Sequence, residues 1–356
     1  MGLDPELGYR HGVLEQLTRQ LEQAVALSEE QATAAVAALL DESVGDGVKA
    51  DFLCALGKKG ETAAEIAVFA RELGRKAVVP PIDKETRAGV ILDVCGTGGD
   101  RLNTFNISTT VAFICAAAGI YVAKHGNRAI TSQAGSADVL EELGIPVDLS
   151  PDAAAKSLRE HHFAFFFAPN FHPAFKRLAP VRKLCAARGQ RTIFNFLGPL
   201  LNPAQPVAQL VGVPRPELCA TIAGALQALG VRRGMVVSGR VGEAWLDELS
   251  TLGENTVAEF YQDKGMSVST LAPGHFPILP AKLKDLRGGD RSANAEIVRR
   301  ILRNEDRGPK RDAVLLNASA ALLVAGSVKS MTEGWATAEE LIDGGRAYGK
   351  LVELAG

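Results

Sequence analysis

The chain is poor in cysteine, in net charge and in long apolar runs, and each shortage excludes a class of protein. Its five cysteines, at positions 54, 95, 115, 185 and 219, form neither a Cys-x-x-Cys pair nor a Cys/His spacing suited to a metal. Buried, reduced thiols are expected, and a disulfide framework or a zinc site is set aside. The 39 basic and 41 acidic residues are mixed in sign and leave a net charge of −2, so the basic face of a nucleic-acid binder is missing. No apolar run approaches ~18 residues without a break, and the first residues carry no apolar signal core, so a cytoplasmic protein without membrane contact is expected. Internal repeats and low-complexity linkers are absent too. What remains is a chain of 356 residues, 47% hydrophobic, long enough for two domains and a sizeable interior.

The stretch 93–144 organises the rest. Ile91-Leu92-Asp93-Val94-Cys95 reads as a buried strand running into Gly96-Thr97-Gly98-Gly99-Asp100. Asn106-Ile107-Ser108-Thr109 follows, then an alanine-rich apolar segment, 110–118, which Gly119 closes as a capped helix. Three glycines free backbone N–H groups to approach a ligand, and the helix start behind them adds a positive dipole end, which together predict an anion site. The loop matches neither a P-loop nor Gly-x-Gly-x-x-Gly, and alone it reads equally well as a structural turn. A second unit of the same kind shifts the balance: a strand at 120–123, the exit loop Lys124-His125-Gly126-Asn127-Arg128, then Ser132, Gly135 and Ser136 before a helix at 137–143. Tandem strand–loop–helix units put both loops at the carboxyl ends of parallel strands, where open α/β sheets bind ligands. Lys124 and Arg128 are expected to face the glycine loop.

Upstream, 13–77 reads as helical, with Leu14, Leu17, Leu21 and Ala24 on one face, a start at Ser28-Glu29-Glu30-Gln31 and a third helix over 62–73. Val78-Val79-Pro80-Pro81-Ile82 marks the crossing into the α/β part. Downstream, a helix at 153–161 leads to Phe163-Ala164-Phe165-Phe166-Phe167, a buried strand rather than a base-stacking platform. His161 and His162 precede it and match no motif. A strand at 235–239 again ends in glycine, and Trp245-Leu246-Asp247-Glu248-Leu249-Ser250 precedes a strand at 256–261. Helices at 311–325 and 337–354 read as packing elements.

Read together, Gly-Thr-Gly-Gly-Asp at 96–100, Asn-Ile-Ser-Thr at 106–109, Lys-His-Gly-Asn-Arg at 124–128 and Gly-Ser-Ala-Asp-Val-Leu-Glu at 135–141 resemble the signatures of the anthranilate phosphoribosyltransferases of tryptophan biosynthesis. The resemblance runs from about residue 13 to 351. It implies an α/β fold, a mainly parallel sheet flanked by helices with a smaller all-helical domain, of the nucleoside phosphorylase/phosphoribosyltransferase type. The helical domain takes 1–80 and an insertion near 172–190; 81–356 form the α/β domain. The implied reaction joins the amine of anthranilate to C1 of 5-phosphoribosyl 1-diphosphate with loss of pyrophosphate.

By the same resemblance, the diphosphate donor falls to Gly96, Thr97, Gly98, Gly99, Asp100, Thr104, Asn106, Ser108, Thr109, Lys124 and Ser136. Anthranilate falls to Gly96, His125, Asn127 and Arg182, a guanidinium whose planar fork suits a carboxylate. Mg²⁺ falls to Ser108, Asp247 and Glu248, hard oxygens that complement substrate phosphates. No residue is assigned as a covalent nucleophile or general base, and a homodimer through the helical domain is implied. Two departures stand out: 184–190 looks longer than the family's turn, and Gln133 occupies a place where lysine is frequent. A pyrimidine nucleoside phosphorylase-like enzyme and a non-enzymatic nucleic-acid binder on the same fold are the alternatives.

Overall fold

A computed structural model describes residues 12–129 and 133–356. The first eleven residues, where no signal core is expected, and Ser132 lie outside the described residues. The described chain opens with α1 Val13–Glu22, α2 Glu29–Leu40, α3 Asp46–Lys59 and α4 Ala63–Gly74. Helices α2 and α4 begin at reciprocal caps: the Gln31 amide donates to the Ser28 hydroxyl and the Ser28 amide to the Gln31 side chain, and Thr62 and Glu65 repeat the exchange. Each pairing satisfies two N–H groups that the first helical turn leaves without partners. Glu65 also ion-pairs with buried Lys59 at 2.8 Å and accepts from the Leu27 amide, so this cap ties three segments together. Thr62→Ala should cost about 1 kcal/mol of folding stability. Urea unfolding checks this, and an unchanged midpoint would show that the cap contributes nothing.

After a short helix, α5 Lys84–Ala88, comes the sheet. Strands β1 Ile91–Gly96, β2 Tyr121–Gly126, β3 Phe163–Phe167, β4 Ala208–Gly212 and β5 Arg233–Val241 run parallel in the order β3-β2-β1-β4-β5. A hairpin strand, β6 Ala244–Leu246, folds back on β5, and β7 Asn255–Tyr261 with β8 Gly265–Leu271 extends that edge antiparallel. Connecting and covering helices are α6 Ile107–Ala117, α7 Ser136–Glu142, α8 Pro151–His161, α9 Ala168–Phe171, α10 Phe175–Ala187, α11 Leu218–Ala228, α12 Leu283–Leu286, α13 Arg291–Leu302, α14 Pro309–Ala325, α15 Met331–Asp343 and α16 Arg346–Ala355.

Both sheet faces are covered, and the two-residue side-chain period sorts residues between them. Leu210 and Met235 pack with α6, α14 and α15 on one face, whereas their neighbours Val211 and Val236 pack with α11 and the N-terminal helices on the other. Phe163 and Phe165 likewise join the first core and Phe166 a cluster with Leu158 of α8, so the aromatic strand is interior. Leu178, Val181 and Cys185 of α10 are buried in the same cluster as Phe52 and Leu53 of α3. The excursion of the chain through α10 thus packs on the N-terminal helices.

Three element boundaries need correction, and one strand is new. Strand β2 extends to Gly126, so Lys124 and His125 lie on the strand rather than in its exit loop. Helix α6 begins at Ile107, three residues before its expected start. The expected final helix is two, α15 and α16, separated at Gly344 and Gly345, the latter at φ +73°. Strand β8 is an addition, because its largely exposed, polar-rich sequence carries no core pattern.

Candidate active site

The parallel strands deliver their carboxyl ends to one edge, and the glycine loop leaves β1 there. Gly98 and Gly99 sit at φ +78° and +90°, a backbone region that a side chain disfavours, and Arg101 and Asn103 follow at +61° and +54°. Two loop amides are already engaged: that of Thr97 donates to the Gly212 carbonyl at 2.9 Å, and that of Gly98 to Asp247 Oδ2 at 2.6 Å. The amides of Gly99 and Asp100 carry no bond to the described chain and remain for a ligand.

Asp247 and Glu248 follow β6, and the sheet makes room for them. A Cβ on Gly212 would lie 1.6 Å from the Asp247 carbonyl oxygen, and one on Gly96 would lie 2.3 Å from Asp247 Oδ2. Burial, the neighbouring Asp100 and Glu248 push the Asp247 carboxyl well up. Glu248 is raised to about 7, chiefly by burial, with Lys124 and hydrogen bonds from Ser108 opposing the rise and Asp100 adding to it. Two raised carboxyl groups beside a third carboxylate are short of positive charge. Lys124 supplies some: the residue is 1% exposed, and its ammonium donates to the Val94 carbonyl at 2.8 Å and to Ser108 Oγ at 3.2 Å. Among the described residues, no group of three His, Cys, Asp or Glu side chains is arranged to hold a metal by itself.

At the end of β2, His125 Nδ1 lies 3.1 Å from the Gly198 carbonyl, which makes Nδ1 the protonated nitrogen and leaves buried Nε2 as a lone pair without a partner. Burial, then the edge-on ring of His172 at 5.2 Å, lowers its pKa to about 3, and burial lowers that of His172 to about 4. The unfolded chain therefore binds more protons than the folded one below about pH 6.5, and stability falls as pH drops toward the folded values. His125 alone should make the protein less stable at pH 5 than at pH 6 by on the order of 1 kcal/mol. Urea midpoints at the two pH values should converge in His125→Gln relative to wild type; an identical spread would refute the assignment.

Rings continue from there: His172 meets Phe175 at 5.5 Å, Phe175 meets Phe194 at 5.8 Å, and the Arg182 guanidinium lies 5.9 Å from the Phe194 centroid. Arg182 is partly buried, has no carboxylate partner among the described residues, and has its pKa lowered by that burial. Arg191 reaches from the same segment to the Gly99 carbonyl at 3.5 Å and so spans the cleft.

Not every expected residue points into this cleft. Arg128 turns away from the glycine loop to form a double-pronged pair with Glu141 and a contact to Asp138, its guanidinium lying over Phe167. Asn106 spends its side chain on Asn294 and Ala134, Thr109 is wholly buried, and Thr104 bridges to Arg287. The Asn127 side chain accepts from the Arg128 amide, while Ser136 Oγ lies 3.5 Å from the Asn127 carbonyl. Gln133 is exposed. The segment 184–190 continues α10 to Ala187 and ends at Gly189, φ +68°. Sequence reasoning gave no role to Asp93, Asn202 or Gln209, all buried; for Asp93 and Gln209 a polar residue inside an apolar strand was the available signal.

A mainly parallel sheet with a glycine loop at its carboxyl edge, an adjacent acidic pair and a helical cap defines a class. Residues 88–348 match the glycosyl transferase family a/b domain, and residues 13–77 match the helical bundle domain of that family. The chain is accordingly an enzyme of the glycosyl-transferring kind. Anthranilate phosphoribosyltransferase of Solibacter usitatus is 45% identical over 332 residues, covering 92% of this chain and 94% of the relative. The crystal structure of anthranilate phosphoribosyltransferase from Thermus thermophilus superposes with a TM-score of 0.85 at 41% identity, covering 95% of this chain and 98% of that one. The Saccharomyces cerevisiae enzyme, solved in complex with PRPP and Mg, gives a TM-score of 0.84 at 28% identity, covering 97% and 98%. The chain belongs to the anthranilate phosphoribosyltransferase family.

Proposed function

We propose that the chain transfers the 5-phosphoribosyl group of 5-phosphoribosyl 1-diphosphate to the amine of anthranilate, releasing pyrophosphate, as a step of tryptophan biosynthesis. The observation that carries the reading is the direct coupling of the glycine loop to the acidic pair, the Gly98 amide resting on Asp247. The Gly99 and Asp100 amides, Ser108 and the remaining donor of Lys124 bind the donor's phosphates; Gly96, Thr97, Thr104, Asn106, Thr109 and Ser136 shape that pocket. Arg182 takes the anthranilate carboxylate, and His125 and Asn127 line the ring's approach.

The residues present suit Mg²⁺: two buried carboxyl groups whose pKa values are raised, the neighbouring Asp100 and a hydroxyl offer hard oxygen, and the diphosphate would complete the ligand set. Asp247, Glu248 and Ser108 would hold it, and when bound it offsets the charge that grows on the leaving diphosphate. The chain's own residues do the rest. Lys124 and the free loop amides hold the phosphates, and Arg182 fixes the acceptor's orientation so that its amine faces C1. His125 remains neutral and presents Nε2 as an acceptor. The reaction needs no covalent intermediate on the protein.

No described helix is long and apolar enough to cross a membrane, in keeping with a cytoplasmic biosynthetic enzyme. A homodimer through the helical domain is the proposed assembly, with Leu184 of α10, 40% exposed, on the surface it would cover. Sedimentation equilibrium tests it. For the reaction, anthranilate fluorescence should disappear in step with pyrophosphate release when the donor is added. Phosphate-dependent cleavage of a pyrimidine nucleoside, or a nucleic-acid gel shift without turnover, would instead favour one of the alternatives.

A further inference from the structure

Strands in the middle of a parallel sheet are ordinarily apolar, because both faces are covered. Here β2, β1 and β4, adjacent in that order, each direct a polar group at one short piece of chain, the turn Gly198–Leu201 and Asn202 behind it. From β4, Gln209 Nε2 donates to the Pro199 carbonyl at 2.9 Å. From β1, Asp93 accepts from Asn202 Nδ2 at 2.9 Å, and Asp93 and Gln209 are register partners across the two strands. From β2, the Ala123 carbonyl accepts from the same Asn202 nitrogen at 2.7 Å, and His125 Nδ1 meets the Gly198 carbonyl. Asp93 and Gln209 are 0% and 2% exposed. Burying so many polar groups costs free energy unless their directional bonds are made, and all of them converge on one segment.

That segment is where the chain re-enters the sheet after its excursion through α10. Four residues before Gly198 lies Phe194, against which Arg182 rests, and Arg191 touches the glycine loop. A shift of the turn is therefore transmitted to both sides of the cleft. Apolar packing would tolerate sliding by a fraction of an ångström; hydrogen bonds from three strands do not.

We infer that Gln209, together with Asp93 and Asn202, is a positioning residue that clamps this turn so that Arg182 stands in register with the donor loop. The inference rests on the proposed role of Arg182. None of the three needs to touch a substrate.

Gln209→Met keeps an unbranched side chain of similar size and removes the amide. Expected is a rise of about 5- to 20-fold in the KM for anthranilate, with the KM for the diphosphate donor within about twofold, since misplacement of an orienting group by a fraction of an ångström is felt in this range. The melting temperature should move by only a few degrees. A merely structural role would lower the active fraction, and hence kcat, and leave both KM values alone; that result, or an equal rise in both, overturns the inference. Asn202→Ala is measured in the same way, so that the test survives if the first variant fails to fold. In the double variant with Arg182→Lys the two effects on anthranilate KM should be less than additive, because residues acting through one another couple; full additivity also overturns it. Arg182→Ala alone separates the failures: if its anthranilate KM is unchanged the role of Arg182 is wrong, whereas a raised value beside an unchanged Gln209→Met removes the clamp only.

Discussion

Arg182→Ala should raise the KM for anthranilate by about 10- to 150-fold, corresponding to the loss of a charge-assisted, double-pronged contact of ~1.5–3 kcal/mol. The guanidinium is held over Phe194 and has no carboxylate partner among the described residues, so in the free protein its charge is uncompensated. A carboxylate arriving on the acceptor supplies what is missing. The diphosphate donor should bind nearly as before, because Lys124 and the loop amides lie on the other side of the cleft. Arg182→Lys should recover only part of the loss, since a point charge cannot reproduce a planar fork. Steady-state kinetics with each substrate varied in turn checks both statements, and an unchanged anthranilate KM in a folded Arg182→Ala would remove this residue from the site.

A larger effect is expected at the acidic pair. Asp247→Asn with Glu248→Gln preserves size and removes two negative charges, so activity should fall by at least about 100-fold through loss of the cation that offsets leaving-group charge. Part of the loss should return as Mg²⁺ is raised, because weaker ligation shifts the binding curve. The fold should persist: burial and the nearby Asp100 disfavour the charged form of both acids, so neutral replacements relieve desolvation and repulsion. Activity titrated against Mg²⁺ is the measurement. A near wild-type, flat response would place the metal elsewhere and return these acids to an ordinary turn.

Much of this architecture was legible wherever its cause is local. The caps at Ser28 and Thr62 require only residues three apart, and the apolar runs of β1 and β3 announce burial directly. Legibility failed where the cause is distant. Lys124 and His125 looked like a loop because polar residues interrupt the apolar run; their partners, Val94, Ser108 and Gly198, lie 30, 16 and 73 residues away. Arg128 was expected at the cleft because the sequence does not reveal that Glu141 captures it. The break between α15 and α16 was hidden by an apolar spacing that continues across Gly344 and Gly345. Within the site, motif residues were easier to name than the groups behind them: Asn202 and Gln209 act only through contacts made once the sheet exists.

The missing side chains at Gly96 and Gly212 have a consequence for how this protein can change. Because the Asp247 backbone and carboxylate occupy the space that two Cβ atoms would fill, the glycine loop and the acidic pair form a single interlocked part contributed by three strands. Redesign of the donor pocket cannot proceed one loop at a time. A larger residue at 96 or 212 expels Asp247, and shifting Asp247 strips the Gly98 amide of its acceptor and reopens the loop. Libraries intended to alter donor preference should therefore randomise 96–100, 212 and 246–248 together, and variants recovered from any one of these segments alone should cluster at conservative changes.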